Sequence, residues 1–324
     1  ARISWQLSER ESGAVVFTRT TEQLLQKGAN VLDFQATMPT DIKLWNDVTP
    51  HLYQLKVTVQ DKKKIYDTRE IEFGFREVTS SKSKILINGK PVFLRGNLDC
   101  VHFPLTGYPS CKVEDWERIF RIYKDYGLNH VRFHSWCPPE AAFAVADSMG
   151  FYLQVECAGW ATVGDGGYSD QWFREESDRI LKEYGNHPSF CLMAYGNEPG
   201  GANQVKYLSE LIDHWKSKDL RRAYTSSGGW PYVENADYWN APDPRIQGWG
   251  EGLRSIINAQ SPRTDYDFAH IIRENMPTVS HEIGQWCVYP NLKEIDKYTR
   301  LQHLMYHFAF EITAFFMVQY LISR

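Results

Sequence analysis

The sequence lacks the marks of two classes of partner. Its 324 residues carry a net charge of only −4, and they show no basic face of the kind that nucleic-acid-binding proteins present. No apolar run reaches the roughly 18 residues that a membrane-spanning helix needs. The segment that comes nearest, Ile312–Ile322, is too short. We therefore expect neither a nucleic-acid partner nor a membrane segment.

Cysteine patterns for metal binding are also missing. The six cysteines show no CxxC pair and no spacing with histidine that is typical of a zinc site. Three of them, Cys137, Cys157 and Cys191, fall in or beside predicted strands, where we expect buried free thiols. We predict no metal and no cofactor.

Aromatic residues, in contrast, are abundant. They make up 14% of the chain and include 11 tryptophans and 18 tyrosines. A large hydrophobic core would use them, and so would a sugar-binding site, because the C–H faces of a sugar stack well on aromatic rings. Composition alone leaves both interpretations open.

The first part of the chain, residues 1–82, is typical of a small antiparallel β-sandwich. Hydrophobic and polar side chains alternate from Tyr53 to Val59, which is the period of a half-buried strand. A polar turn follows at Asp61–Lys64, and Asn30–Met38 has the character of an earlier strand. No catalytic pattern is visible in these residues.

The remainder, residues 83–324, changes to an alternation of strands and helices. At the junction, Asn88-Gly89 between two apolar runs predicts a β-hairpin, because this pair fits a type I′ turn. Roughly seven βα units follow without a long break, which indicates a parallel sheet. We predict a (β/α)8 TIM barrel. A doubly wound sheet is the alternative, but no glycine-rich phosphate loop follows the first predicted strand.

The elements of this barrel are predicted as follows. The strands are Val92–Gly96, His130–Phe133, Phe151–Val155, Phe190–Glu198, Tyr224–Ser227, either Tyr238–Asn240 or Arg245–Trp249, and Thr278–Ile283. The helices begin near Val113, Pro138, Asp170 and Val205, and a further helix covers Asp265–Asn275. A helical segment is expected at 291–311, with no eighth helix after it, so the barrel can be incomplete at its C-terminal end.

Two of the predicted strands end in a carboxylate. The apolar run that begins at Phe190 leads into Gly196-Asn197-Glu198-Pro199, where proline ends the strand because it has no N–H for the ladder. The run Thr278–Ile283 carries Glu282. The carboxyl ends of the strands form the catalytic face of a barrel. A pair of carboxylates at that face is the arrangement that a retaining glycosidase needs.

Other roles remain open for these residues. Glu198 could be a capping carboxylate, and His281-Glu282 could bind a metal or form an ion pair. Further side chains at strand ends, or on the loops after them, could line a sugar pocket or pack at its rim: Asp99, His102, His134, Trp136, Glu156, Trp160, Trp230, Trp249, Trp286 and Tyr289. For His102 and His134 we favour hydrogen bonding over metal binding, because no ligand spacing surrounds them.

Taken together, the motifs resemble glycoside hydrolase family 2, which contains β-galactosidases, β-glucuronidases and β-mannosidases. Gly74-Phe75-Arg76 followed by Ile87–Gly96 is similar to the junction between the family's immunoglobulin-like domain and its barrel. Val131-Arg132 is similar to its second strand, Gly196–Pro199 to its acid/base motif and His281-Glu282 to its nucleophile strand. The resemblance implies an immunoglobulin-like β-sandwich at 1–82 and a TIM-barrel catalytic domain at 83–324.

The activity that the resemblance implies is that of a retaining exo-β-glycosidase, which removes a terminal β-linked sugar from an oligosaccharide or glycan. Glu198 would be its acid/base, Glu282 its nucleophile and Asn197 a partner of the sugar 2-hydroxyl. Arg132 would keep Glu282 ionised, or else belong to an ion pair of the barrel core. A β-galactoside is the expected substrate. The alternatives are a β-glucuronide, a galacturonide or a β-mannoside, and an inactive carbohydrate-binding relative or fragment is the rival class.

The sequence also departs from the family pattern. The sugar-binding sandwich that usually precedes the immunoglobulin-like domain is not found in it, and the usual eighth strand is not recognisable after Glu282. Phe133–Pro138 replaces the usual spacing around His134, so the role of that histidine stays open. The oligomeric state and the compartment do not follow from the sequence, although a glycan-degrading role suggests a periplasmic or secreted location.

Overall fold

The structure is a computed structural model that describes residues 1–285 except 63, 104–105, 249–250, 252–253, 260 and 262–265. The helix expected at 291–311 lies outside the described residues, and so do the strand ends Trp249, Trp286 and Tyr289. The predicted incomplete end of the barrel therefore stays a prediction. Among the described helices, none has both the length and the apolar character needed to span a bilayer.

The N-terminal part contains one antiparallel sheet of four strands. These are β1 (Arg2–Glu9), β2 (Val15–Glu22), β3 (Tyr53–Asp61) and β4 (Lys64–Phe73), in the order β2-β1-β3-β4. Ile3, Trp5 and Leu7 alternate on the buried face of β1. The strand predicted from Tyr53 and the turn after it are confirmed. An immunoglobulin-like sandwich built on this sheet stays a prediction.

The strand predicted at Asn30–Met38 is wrong, because this segment joins no ladder. The segment is held instead by single contacts with side chains of β1 and β2. Phe34 packs edge-on against Trp5, with ring centroids 3.9 Å apart, and the Arg19 guanidinium donates to the Gln35 carbonyl at 2.6 Å. Almost every residue of the segment is exposed, so its apolar side chains reflect isolated contacts and not a buried strand face.

The predicted hairpin at the junction is confirmed. It joins β6 (Lys84–Ile87) to β7 (Lys90–Pro91), and β5 (Val78–Ser81) completes a small sheet of three strands. Asn88 and Gly89 have φ values of 53° and 72°, as a type I′ turn requires. The Asn88 amide also donates to the Trp45 carbonyl, and the Trp45 indole donates to the Asp147 carbonyl, at 3.0 and 2.8 Å. This chain of contacts ties the junction to the helical layer.

A parallel sheet of five strands follows, as predicted. It consists of β8 (Gly96–Asp99), β9 (His130–Phe133), β10 (Tyr152–Glu156), β11 (Phe190–Ala194) and β12 (Ala223–Tyr224), side by side in chain order. Two more strands, β13 (Trp239–Ala241) and β14 (Thr278–Ser280), form a separate parallel pair. Of the two segments offered for the sixth strand, the structure uses the earlier one. Closure of these strands into a barrel stays a prediction.

The first strand of the parallel sheet was predicted too early. Val92 is not available to that sheet, because its N–H donates to the Ile85 carbonyl within the hairpin, at 3.0 Å. Pairing with β9 starts only at Gly96. A side chain at Gly96 would place its Cβ 2.6 Å from the His130 ring, so only glycine allows this close approach.

Four helices connect the strands of the sheet. They are α1 (Val113–Asp125), α2 (Glu140–Met149), α3 (Tyr168–Tyr184) and α4 (Gln204–Lys218), and all four predictions are confirmed in outline. The predicted cap of α3 is wrong: the helix begins after Gly167, and the Asp170 carboxylate instead accepts from the N–H groups of Gly164 and Gly166. A short helix, α5 (Ile256–Ala259), was not predicted.

The helix predicted at Asp265–Asn275 is also wrong. Within the described part of this segment there is only a 3-10 turn, Ala269–Ile271, which has no buried residue. Ile272 is 55% exposed. The apolar side chains described here are at most half-buried, and a short helix without a buried face has little to stabilise it.

The core lies between the parallel sheet and its helices, and it uses many of the aromatic residues. Trp116, Phe120, Phe133, Phe143 and Trp215 are fully buried there. Of the three cysteines expected to be buried free thiols, Cys157 and Cys191 are buried, whereas Cys137 is a free thiol that is only half-buried. Cys111 is a free thiol at the surface.

Candidate active site

Glu198 lies just beyond the carboxyl end of β11 in a constrained backbone. Its φ of 36° falls in the left-handed region, which costs a non-glycine residue about 1–3 kcal/mol. The surrounding loops hold it there, because the Glu198 N–H donates to the Gly228 carbonyl at 2.9 Å and the Asn197 N–H to the Gly159 carbonyl at 2.8 Å. The turn thus places Glu198 beyond the carboxyl ends of the parallel strands.

Glu282 reaches the same site from the separate pair of strands β13 and β14. It follows β14, whose partner β13 accepts the His281 N–H at the Ala241 carbonyl, 3.0 Å away. One carboxylate oxygen of Glu198 and one of Glu282 lie within 4.8 Å of each other. The two carboxyl groups of retaining glycosidases are about 5–5.5 Å apart, and those of inverting enzymes are farther apart. The structure therefore brings the two predicted carboxylates together at the shorter kind of separation.

Arg132, on β9, organises the floor of the site. Its guanidinium donates to Glu156 through Nε at 2.6 Å and to the Asn197 side-chain oxygen through Nη2 at 2.7 Å. Nη1 lies 3.7 Å from a Glu282 oxygen. Burial, the largest influence, lowers the pKa of Arg132, but the Glu156 and Glu282 carboxylates raise it above its ordinary value. Arg132 is therefore a permanent cation beside Glu282.

Glu156 and Asn197 are enclosed beneath the site. Glu156 is 0% exposed and Asn197 is 1% exposed. Glu156 also accepts from the Ser135 N–H at 2.8 Å and from the Gln154 amide at 2.9 Å. In this structure both residues contact Arg132, and Glu156 has no free surface for a sugar.

Arg245 is a member of the site that the sequence analysis did not identify. Its Nη2 donates to Glu198 Oε1 at 2.8 Å and lies 3.8 Å from Glu282 Oε2, so it bridges the two carboxylates. The residue follows β13 at the same edge of the fold as the predicted strand ends. The sequence left two segments open for the sixth strand, and Arg245 began the later one. Because the earlier segment forms β13, Arg245 lies on the loop after that strand.

His281 connects these groups. Its Nδ1 lies 3.0 Å from the Ala241 carbonyl oxygen, a contact in which the nitrogen must donate. Its Nε2 lies 3.0 Å from Arg245 Nη2 and 3.3 Å from Glu198 Oε1. Burial and the neighbouring Arg132 and Arg245 lower the pKa of His281 to about 4, although Glu282 acts in the opposite direction. The ring is therefore neutral, and Nε2 accepts from Arg245.

Three residues of the site have side chains that can bind a metal. Glu198, His281 and Glu282 offer three ligand atoms within 4.8 Å of one another. Arg245 Nη2 lies 2.8, 3.0 and 3.8 Å from atoms of these three residues. A guanidinium there supplies the positive charge itself, so the donor set does not fit a metal in this arrangement.

Other predicted residues lie near the two carboxylates. His134 Nε2 is 3.6 Å from Glu282 Oε1, and its ring packs edge-on against Trp160 at 5.2 Å. Trp160 is 64% exposed and Trp230 is 42% exposed, so both lie at the rim. The Trp230 indole donates to the Pro199 carbonyl at 3.1 Å, next to Glu198.

The remaining predicted residues make other contacts, are exposed or lie outside the described residues. Asp99 is half-buried, burial raises its pKa, and its carboxylate accepts from the Val101 N–H at 2.9 Å. His102, three residues on, is exposed. Trp136 is a core residue, packed against Phe133 with ring centroids 5.1 Å apart. Trp249 and Trp286 are outside the described residues.

Two glycines allow this arrangement. A Cβ at Gly228 would lie 2.1 Å from Arg132 Nη2, and a Cβ at Gly229 would lie 3.1 Å from Glu198 Cγ and 3.3 Å from His281 Nε2. The segment after β12, which carries both glycines, must therefore present backbone without side chains to the site.

Comparison with protein families gives two matches that cover most of the chain. Residues 2–76 match the model described as glycosyl hydrolases family 2, and residues 78–240 match the model of the TIM barrel domain of that family.

Curated relatives with two different names are similar to this chain. A putative β-glucuronidase of Formosa agariphila is 28% identical over 58% of the chain and 18% of its own length. The β-glucuronidase of Mus musculus is 27% identical over 67% of the chain and 35% of its own length. The β-galactosidase of Vibrio vulnificus is 29% identical over 54% of the chain and 18% of its own length. The chain thus spans a minor part of each of these relatives.

Solved structures show the same fold. The β-glucuronidase of Parabacteroides merdae aligns with 70% of this chain and 29% of its own, with a TM-score of 0.60 and 24% identity. The β-glucuronidase of Bacteroides uniformis aligns with 69% of this chain and 29% of its own, with a TM-score of 0.62 and 21% identity.

Proposed function

The chain belongs to glycosyl hydrolases family 2, and from this premise we propose that it carries the catalytic site of a retaining exo-β-glycosidase. The observation that supports this most strongly is the pair Glu198 and Glu282, which end different strands and approach within 4.8 Å. That separation suits a double displacement through a covalent intermediate.

In the first step Glu282 attacks the anomeric carbon while Glu198 protonates the glycosidic oxygen, and the alcohol leaves. In the second step Glu198 removes a proton from water, which attacks the same carbon and releases Glu282. Arg132, 3.7 Å from Glu282, favours the ionised form that attack requires. We propose that Glu156 and Asn197 act by orienting Arg132, and that His134 contributes a contact to the nucleophile at 3.6 Å.

We propose a terminal β-galactoside as the substrate. Within the described residues, the two arginines that reach the carboxylates both have anionic partners already, Arg132 in Glu156 and Arg245 in Glu198. This pairing supports a neutral sugar over a uronic acid, which would need a cation of its own. Relatives of both names exist, so β-glucuronide, galacturonide and β-mannoside belong in the same assay.

The test is hydrolysis of a panel of phenyl β-glycosides, whose leaving group needs a proton, by the full-length polypeptide and by its Glu198→Gln and Glu282→Gln variants. We expect one sugar to be preferred and both variants to lose at least about 10³-fold in kcat/KM, since general acid catalysis alone contributes about 10²–10⁴-fold. Glu210→Gln, on the exposed face of α4, is the matched control and should keep full activity. A folded protein that hydrolyses no glycoside of the panel contradicts the proposal and leaves a binding relative.

A further inference from the structure

Arg245 contributes a second cation to the site, at the acid/base and not at the nucleophile. Its Nη2 is 2.8 Å from Glu198 Oε1, against 3.8 Å from Glu282 Oε2. The side chain of Arg245 is 27% exposed, whereas Arg132, the cation beside the nucleophile, is 4% exposed. The two carboxylates therefore have separate cationic partners in different surroundings.

His281 holds Arg245 in this position. The Nδ1–H of His281 donates to the Ala241 carbonyl at 3.0 Å, which fixes the tautomer and leaves Nε2 with a free electron pair. That pair accepts from Arg245 Nη2 at 3.0 Å. The His281 side chain is 0% exposed, so it is a rigid support. The geometry directs one N–H group of the guanidinium to His281 and another to Glu198.

We propose that Arg245, supported by His281, is a positioning residue that stabilises the negative charge on Glu198 when its proton moves to the leaving group. The inference rests on the proposed glycosidase function and deepens it at the acid/base. Its basis is the contact geometry of Arg245, Glu198 and His281, together with the direction of charge movement in a double displacement.

The charge balance of the first step shows where this interaction acts. The O–H bond of Glu198 breaks and its proton forms a bond to the glycosidic oxygen. The bond from the anomeric carbon to that oxygen breaks, its electron pair stays on the oxygen, and Glu282 forms the new bond to carbon. Glu198 is left as a carboxylate 2.8 Å from the Arg245 guanidinium. Coulomb attraction at this distance grows as the proton leaves, so it stabilises the transition state more than the ground state.

The leaving group decides how much this stabilisation matters. A dinitrophenolate departs without protonation, so its release depends little on Glu198 or on Arg245. A phenolate, and the alkoxide of a natural sugar, need the proton, so their release depends on both. Loss of a merely structural residue would instead slow both substrates alike, because it would disturb the nucleophile as well.

The experiment compares the phenyl and the 2,4-dinitrophenyl β-glycosides of whichever sugar the wild type hydrolyses. We expect Arg245→Gln to lower kcat/KM about 10- to 100-fold on the phenyl substrate and less than about 3-fold on the dinitrophenyl substrate, which is part of the range for general acid catalysis. Arg245→Lys keeps the charge and should recover part of the loss. Arg254→Gln, an exposed arginine of the same region, is the control and should leave both rates unchanged.

The outcomes separate this inference from the proposed function. Equal losses on both substrates in Arg245→Gln, or no loss on either, overturn the role of Arg245. If Arg245→Gln does not fold, Arg245→Lys decides in the same way, through its ratio of losses on the two substrates. Glu198→Gln is measured beside them: if it too loses equally on both substrates, or if the folded wild type is inactive, the acid/base assignment falls, and the inference falls with it.

Discussion

Removing Arg132 should separate the stability of the site from its activity. Arg132→Met introduces an uncharged, apolar side chain of similar length. It leaves Glu156, which is 0% exposed, without its cation. Breaking a buried ion pair by removing one partner costs about 3–5 kcal/mol. Glu156 keeps its hydrogen bonds from Ser135 and Gln154, so we expect a loss of unfolding free energy near the lower end, about 3 kcal/mol.

A second substitution should restore most of the unfolding free energy without restoring the activity. Arg132→Met with Glu156→Gln removes both charges, and such neutral replacements are often close to the wild type in stability, so the double variant should lose less than about 1.5 kcal/mol. Glu282 would still lack the cation 3.7 Å away, and Asn197 would lack its partner. We expect kcat/KM to stay at least about 10²-fold below wild type in both variants, as for the loss of one electrostatic contact in an active site.

Urea unfolding and kinetics on the same preparations would measure the two effects. The control is Arg10→Met, which breaks the exposed Arg10–Glu72 pair, 45% and 48% exposed, and should cost less than about 1 kcal/mol. The reasoning is refuted if Arg132→Met is no less stable than this control. It is also refuted if the double variant is as unstable as the single one, because the cost would then not come from the unpaired carboxylate.

Two further predictions concern other parts of the molecule. Burial lowers the pKa of His187, but hydrogen bonds to Asp147 and Glu140 raise it to about 9, so its stabilising effect is complete below the unfolded value near 6.5 and is lost as the pH rises to 9. The difference in unfolding free energy between wild type and His187→Gln should therefore shrink by roughly 3 kcal/mol between pH 6 and pH 10, and a difference that stays constant with pH would contradict the assignment. Trp160, 64% exposed beside His134, should act as a stacking surface at the rim. Trp160→Ala should raise KM by roughly 10-fold with little change in kcat or in the melting temperature, whereas unchanged KM would assign Trp160 to rim packing alone.

Short-range patterns explain why much of the fold was predictable. The amphipathic spacing of Trp116, Phe120 and their neighbours determines one buried helix face, and the apolar residues of β9 and β11 are buried throughout. Local turn chemistry was equally informative at Asn88-Gly89, where the backbone angles are those that the pair favours. The proximity of the two carboxylates could be predicted because a polar residue after a buried strand has a known position in a parallel sheet. Their catalytic roles stay a prediction.

Long-range contacts explain the failures. Asn30–Met38 and Asp265–Asn275 were predicted as regular elements, but whether such elements form depends on a partner strand or core surface elsewhere in the chain. Arg245 was missed for the same reason. Its role comes from contacts with Glu198 and His281, which are 47 and 36 residues away in the sequence, and no local pattern marks it.

The different surroundings of the two carboxylates suit their different proposed duties. Glu282 must begin each cycle ionised, and its partner Arg132 is 4% exposed and fixed by Glu156 at 2.6 Å, so its charge is held by a dry and rigid network. Glu198 must gain and lose a proton in every cycle. Its side chain is 16% exposed and its partner Arg245 is 27% exposed, so the pair is accessible to the leaving group and to the attacking water. A rigid, buried ion pair at Glu198 would oppose the gain and loss of its proton. At Glu282, an exposed pair would be screened by water, so the arginine would stabilise the attacking carboxylate less. In the proposed mechanism the two carboxylate–arginine pairs thus serve different steps, because one pair is enclosed and the other is partly exposed.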